Sequence, residues 1–304
     1  MKDISKIDKN FKIETTLEKE GLKFYNIEEP PFKVYGVFKE DGKYCRMPEA
    51  IAKTVSENVG ILNPESSRGR VRFINYGMIT KEGRLMSGNS DGMHCYNNRE
   101  GIVLDGCTLM NNLDDQINTN ANSMAINSYD GEYTYVVGRD TQLRVGDEVQ
   151  FVNLDTHKTL GNAFVKSFEY PGNGTARVTI DRKIDGLTLE NLSKITFYNL
   201  NESTKGSVIK NSKFMYSRRY AWLTKNANSL FDNNYIFENG GSAISASDEK
   251  RGAHYEGPFP SCFTMRNNTI IAPDQMPPDY PVQVQTMSGR TPGESANVKN
   301  FLIE

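Results

Sequence analysis

Three aspartates stand in two short segments, Asn89-Ser90-Asp91-Gly92-Met93-His94-Cys95 and Asn112-Leu113-Asp114-Asp115-Gln116-Ile117-Asn118, and Asp91 and Asp114 are 23 residues apart. If the chain coils with that repeat, their carboxyls share one small patch of surface, because strands one coil apart stack at about 4.8 Å. Three carboxylates so close repel one another unless one keeps a proton. A protonated acid beside an ionised one is the pair that glycoside hydrolysis uses. The other reading of adjacent acids in such a place is a turn, or a calcium site.

The elements that must hold these residues repeat. Ser207-Val208-Ile209-Lys210-Asn211-Ser212-Lys213-Phe214 returns 22 residues later as Ser229-Leu230-Phe231-Asp232-Asn233-Asn234-Tyr235-Ile236-Phe237, and again after 34 as Phe263-Thr264-Met265-Arg266-Asn267-Asn268-Thr269-Ile270-Ile271. Ile102 to Leu109 fits the same frame. Each copy alternates apolar and polar residues with period two and then places Asn or Gly where the backbone turns through a left-handed conformation. A unit of this length and pattern is one coil of a right-handed parallel β-helix. Asn makes up about a tenth of the chain, and stacked turn amides, each bonding the coil above and below, account for the excess.

The fold class expected is therefore all-β: a right-handed parallel β-helix with an inserted small antiparallel β-barrel and an N-terminal β-rich segment. The period breaks between Tyr129 and about Asn201, where Leu143–Val152, Ala163–Val165 and Ala176–Ile180 alternate around turns such as Pro171-Gly172-Asn173-Gly174; this is the barrel. The expected divisions are 1–73, sandwich-like, with a Pro30-Pro31 break and a helix near Pro48 to Val55; 74–129, the first coils; 130–200, the barrel; and 201–304, the remaining coils.

Carrying the frame across the barrel sets Gly106 against Asn211 and so Asp114 against Arg219. Arg218 and Arg219 offer donors for hydroxyls, and Tyr220 and Trp222 an apolar face for a sugar ring. Only one of the two arginines is expected to point outward with Asp114, and Arg219 is that one. His254-Tyr255-Glu256-Gly257-Pro258 lies in a long excursion that can fold back over the acids, where Glu256 would bind a hydroxyl pair or serve as an alternative acid. Arg99, soon after Asp91, and His94 are further substrate-binding candidates. For each of these the ordinary reading is a solvated or structural side chain.

Composition narrows the rest. The chain has 304 residues, 37% hydrophobic and 24% charged, with a net charge of -2 and no basic stripe, so no nucleic-acid or membrane partner is expected. No apolar run is long enough to span a bilayer and no signal peptide is visible, so the expected place is the cytoplasm, or outside the cell or in the periplasm if the N-terminus is incomplete. Four cysteines, at 45, 95, 107 and 262, form no CxxC; they read as structural, with neither metal nor other cofactor expected.

Over about 74–304 the chain resembles glycoside hydrolase family 110, on Asn89–Cys95, Asn98-Arg99-Glu100-Gly101, Asp114–Asn118, Arg218-Arg219-Tyr220-Ala221 and Tyr255–Pro258, in that order and with a barrel in the matching gap. The resemblance implies an inverting α-galactosidase releasing terminal, typically α-1,3-linked, galactose from a glycan, with Asp114 as the acid and Asp91 and Asp115 holding the water. The segment 20–73 resembles the small domain that precedes SGNH-type esterases, through Phe32–Gly36, Arg46–Glu49 and Gly69–Phe73. Family members carry several coils before the first aspartate motif, and on this resemblance those coils are expected to be missing here. The last coil is expected to be open at Val298–Glu304. Unpaired edges at both ends imply aggregation, or a homo-oligomer or missing-segment partner there. Competing functions are a non-catalytic carbohydrate-binding or adhesive solenoid and a polygalacturonase-like pectin hydrolase, which shares Asn-x-Asp and Asp-Asp but needs a Gly-His-Gly that does not occur. A β-helix lyase would want a basic proton abstractor, often with calcium.

Overall fold

The structure is a computed structural model. It describes backbone for 12–19, 22–29, 32–35, 38–40 and 43–45, and for 69–304 apart from 81–84, 89, 130–132, 139–142, 173, 248, 252–253, 274–279, 286, 289–290 and 293–297; side chains are described from 69 on, outside 248–254 and 285–297. The helix expected near 48–55, the Pro30-Pro31 break and Arg46–Glu49 lie outside the described residues. Ahead of the coils, Lys12–Lys19, Leu22–Glu29 and Phe32–Tyr35 form an antiparallel sheet.

From residue 72 onward the chain winds as a parallel β-helix with three sheets. One contains Arg72–Ile74, Val103–Asp105, Val208–Lys210, Leu230–Asp232, Ser261–Arg266 and Lys299–Ile303. The next contains Gly77–Met78, Thr108–Met110, Lys213–Met215, Tyr235–Phe237 and Thr269–Ile271. The third, which carries the aspartates at its leading edge, contains Met93–Tyr96, Ile117–Asn122, Trp222–Thr224, Ile244–Ser247 and Val282–Gln285. Because Arg72–Ile74 already pairs with Val103–Asp105, the solenoid begins slightly earlier than the expected residue 74.

Period-two alternation makes the core. Phe73, Leu104, Ile209, Phe231 and Met265 form one inward column, and Met78, Leu109, Phe214 and Ile236 another, all within one buried cluster. The turn residues take the left-handed conformation expected of them: Asn75, Gly106, Asn211, Asn233 and Asn267 have φ between 52° and 68°, a region that Asn and Gly enter at least cost. Their amides stack from coil to coil. Asn233 Nδ2 donates to Asn211 Oδ1 (2.8 Å), and Asn211 Nδ2 donates to Asp105 Oδ1 (2.7 Å). Asn268 Oδ1 accepts from the Asn234 backbone (2.8 Å), and Asn234 Oδ1 from the Ser212 backbone (3.0 Å).

Between the second and third coils the chain leaves to form a closed antiparallel barrel in the order Met124–Tyr129, Thr134–Gly138, Thr175–Ile180, Thr159–Glu169, Glu148–Asn153 and Ile195–Asn199. It starts six residues ahead of the expected 130, because Met124–Tyr129 continues directly from the coil strand Ile117–Asn122 after one residue. The barrel has its own core around Val137, Val149, Phe151, Val178 and Phe197.

Candidate active site

Backbone register decides which side chains meet. Met93, Ile117 and Trp222 are paired across three successive coils. Counting back two residues sets Asp91, Asp115 and Tyr220 in one row, and one further back sets Ser90, Asp114 and Arg219 in the next. The coil-to-coil step from Asp91 is thus 24 residues, to Asp115, rather than the expected 23 to Asp114; the pairing of Asp114 with Arg219 across the barrel is as expected. The row is closely stacked: a Cβ at Gly92 would lie 2.7 Å from the Gln116 carbonyl oxygen, and one at Gly241 2.7 Å from the Arg219 carbonyl carbon. Only glycine lets the backbones approach this far.

One carboxylate oxygen from each of Asp91, Asp114 and Asp115 lies within 4.8 Å of the others. That is closer than the roughly 6.5–9.5 Å usual between the two carboxyls of an inverting pair. Asp115 is sealed at 1% exposure and Asp91 is buried at 8%, whereas Asp114 opens to solvent. Burial pushes the Asp115 carboxyl up to about 7, against the pull of Arg219 and reinforced by Asp91 and Asp114. Burial also raises Asp91, opposed by His94 and helped by Asp114 and Glu256. Protons therefore favour the two inner acids.

Arg219 bridges the outer acid and one inner acid, with Nη1 3.0 Å from Asp114 Oδ1 and 3.6 Å from Asp115 Oδ2, and its guanidinium lies over the Tyr220 ring. Contrary to expectation, Arg218 also reaches Asp114, at 3.4 Å, while its Nε donates to the Leu113 carbonyl. Both arginines can point outward because they lie in a bend between the strands Lys213–Met215 and Trp222–Thr224, where strict alternation does not hold.

The excursion before the fifth coil does fold back. His254–Gly257 lies antiparallel to the end of Ile117–Asn122, pairing Asn122 with Glu256 and Ala121 with Gly257. Glu256 is buried at 3% and ion-paired with Lys225, which is itself fully buried. Burial alone would raise the Glu256 carboxyl, but Lys225 and His94 hold it far below the usual carboxylate range. Glu256 is thus a fixed anion behind the site, and neither the expected alternative acid nor an open hydroxyl-binding group. It accepts from Asn118 Nδ2 at 3.2 Å and faces His94 Nε2 at 3.5 Å, while Asn118 Nδ2 also lies 3.4 Å from Asp91 and His94 Nδ1 3.9 Å from it.

Two expected binding residues are elsewhere. Trp222 occupies the inward column between Ile117 and Ile244, is fully buried against Phe231 and Phe263, and donates its indole N–H to Thr119 Oγ1 (2.9 Å). It cannot carry a sugar. Arg99 is clamped by the Asp147 carboxylate (2.9 and 2.7 Å) and by Glu202 (3.2 Å), joining the solenoid to the turn ahead of the barrel strand Glu148–Asn153 and to the barrel exit. Sequence reasoning passed over Lys225 and Asn118. A lysine between strands reads as a surface charge, and only the burial of Glu256 beside it reveals otherwise. Cys95 and Cys107 are buried, while Cys262 is exposed.

Comparison with known protein families gives no match, and comparison with curated proteins gives none. Neither the resemblance to glycoside hydrolase family 110 nor that to the esterase domain gains support from them. Among solved structures the chain is similar to the Gp54 tailspike of Acinetobacter baumannii bacteriophage AP22 in complex with A. baumannii capsular saccharide, at 11% identity over 83% of this chain and 46% of that one, TM-score 0.23. It is also similar to the tailspike protein gp49 from Pseudomonas phage LKA1, at 11% identity over 73% and 44%, TM-score 0.18. The chain spans less than half the length of either.

Proposed function

We propose that the aspartate cluster hydrolyses a glycosidic bond. The observation that carries this is the meeting of three carboxyls from two coils, two inner ones raised by burial and one outer one that faces water. Glycoside hydrolysis needs a protonated carboxyl for the leaving oxygen and an ionised one for water. Asp91 supplies the proton, since burial raises it and it lies nearer the surface than Asp115; Asp114 activates water, oriented by Arg219 and Arg218; Asp115 tunes both from beneath. This moves the acid role from Asp114, where the family resemblance sets it, to Asp91. With the oxygens this close, the water would sit in front of the cluster rather than between its members, and inversion follows if it attacks from the face opposite the leaving group.

The substrate in this reading is a glycan ending in α-linked galactose, a choice that rests on the family 110 resemblance. The test is release of galactose from an α-1,3-galactosyl disaccharide and from p-nitrophenyl α-galactoside by the full chain, with binding measured in parallel. Turnover of the disaccharide that is lost in Asp91→Asn supports it. Binding without turnover favours the adhesive solenoid, cleavage of polygalacturonate instead favours a pectin hydrolase, and turnover that requires added calcium makes the cluster a cation site.

A further inference from the structure

A second cavity lies at the seam between barrel and solenoid. It has a volume of about 450 Å³ and is lined on the barrel side by Glu148, Gln150 and Asn162, and on the solenoid side by Lys205, Lys299 and Phe259. Volumes of this order hold small ligands, and domain seams are where such sites recur.

The barrel wall has a direction. Val149 and Phe151 point into the barrel core, so alternation turns Glu148 and Gln150 outward toward the coils. Gln150 Nε2 donates to Asn162 Oδ1 (3.3 Å) and Asn162 Nδ2 donates to Glu148 Oε1 (2.7 Å). The chain of amides leaves Gln150 Oε1 buried with no partner. A buried acceptor without a donor costs free energy unless something supplies one. Across the cavity, Phe259 offers an aromatic face, steadied by the His157 ring with centroids 6.5 Å apart. Side-chain amides and a carboxylate along one wall, an aromatic face on another and ammonium groups at the edge match a ligand that carries hydroxyl pairs and one flat C–H face. Glu148 is the one carboxylate lining it, so no acid–base pair is present for hydrolysis there.

We propose that this seam is a second saccharide-binding site, which holds a sugar unit through its hydroxyls without cleaving it. It is independent of the reading of the aspartate cluster. The two places are nonetheless linked, because Glu256 faces the aspartates and Phe259 lines the seam, and three residues of chain span at most about 11 Å.

The experiment is capture on an array of printed glycans, including galactose-ended, glucan and uronate chains, by the full-length protein carrying Asp91→Asn and Asp114→Asn. Binding should persist in that double variant and fall at least tenfold when Gln150→Ala or Phe259→Ala is added. Gln150 lies outside the barrel core, so Gln150→Ala decides the matter if Phe259→Ala melts at a markedly lower temperature. Binding that vanishes with the two aspartates and ignores Gln150→Ala overturns the proposal, as does failure to capture any glycan. Hydrolysis is not read in this assay, so its outcome is separate from that of the cluster.

Discussion

An aspartate whose proton is held more tightly in the fold serves as an acid only if the substrate can reach it, and Asp91, raised by burial and nearer the surface than Asp115, meets both conditions. Asp91→Asn should slow cleavage of the disaccharide by about 10²–10⁴ while sparing the activated aryl galactoside, whose leaving group needs little protonation. Asp114→Asn should slow both alike. The opposite pattern in steady-state kinetics would return the acid role to Asp114, and α-galactose appearing first by proton NMR would exclude inversion. Asp115 makes a separate prediction about stability. Its folded value of about 7 exceeds the roughly 3.9 of an unfolded aspartate, so the folded chain binds this proton more tightly. The contribution to stability is fully present below about pH 4 and lost as pH rises through 7, a difference on the order of 4 kcal/mol. Asp115→Asn, which cannot ionise, should melt close to wild type at pH 4 and above it at pH 8; a variant that gains at pH 4 and loses at pH 8 contradicts the assignment. The meeting of these acids with Arg219 was legible because it depends only on counting residues between turns. The one-residue slip in Asp91's partner was not, because the turn between the sheets varies in length and carries no repeat of its own.

The strap Tyr255–Phe259 is the element on which both candidate sites depend. Its anchor is a buried ion pair, so Glu256→Gln leaves Lys225 buried without its counter-charge, which costs about 3–5 kcal/mol. Adding Lys225→Met to that variant should recover much of the melting temperature, since no buried charge is then left without its partner; no recovery would mean that the lysine's bond to Asn118 Oδ1 matters more than the ion pair. Gly257 is the tightest point, where a Cβ would lie 2.7 Å from the Tyr198 ring. Gly257→Ala should lift the strap, lower kcat and leave the barrel spectrum unchanged. Long excursions announce themselves as a lengthened repeat, here 34 residues in place of 22, so the return of this loop could be read from the sequence. Its burial could not, because Lys225 and Glu256 are far apart in the chain and each looks like a surface charge. Trp222 misled for the opposite reason: an aromatic beside arginines suggests a sugar platform, but its parity on the strand matches Met93 and Ile117 and sends it inward.

On the scale of the whole molecule, Arg99 ties the barrel to the coils through carboxylates 48 and 103 residues later in the chain. Asp147 and Glu202 are both buried, so Arg99→Met strands two acids and should lower the melting temperature by an amount matching about 3–5 kcal/mol. Asp147→Asn with Glu202→Gln in the same chain should soften that loss. Such a clamp has no signature in the sequence, since its partners, one in a turn within the barrel and one where the chain rejoins the coil, are brought to Arg99 only by the fold. The stacked turn asparagines carry a different consequence, for chemical ageing. Asparagine deamidates when the amide nitrogen of the following residue attacks the side-chain carbonyl and closes a succinimide ring. At Asn211 and Asn233 that nitrogen already donates to the next coil, Ser212 N to Asn234 Oδ1 and Asn234 N to Asn268 Oδ1, while the side chain is held by its own ladder. An unusually asparagine-rich chain is thereby shielded at these turns by the contacts that build its repeat. Peptide mapping after long incubation at pH 8 should find both intact, and deamidated only once the coils have been unfolded.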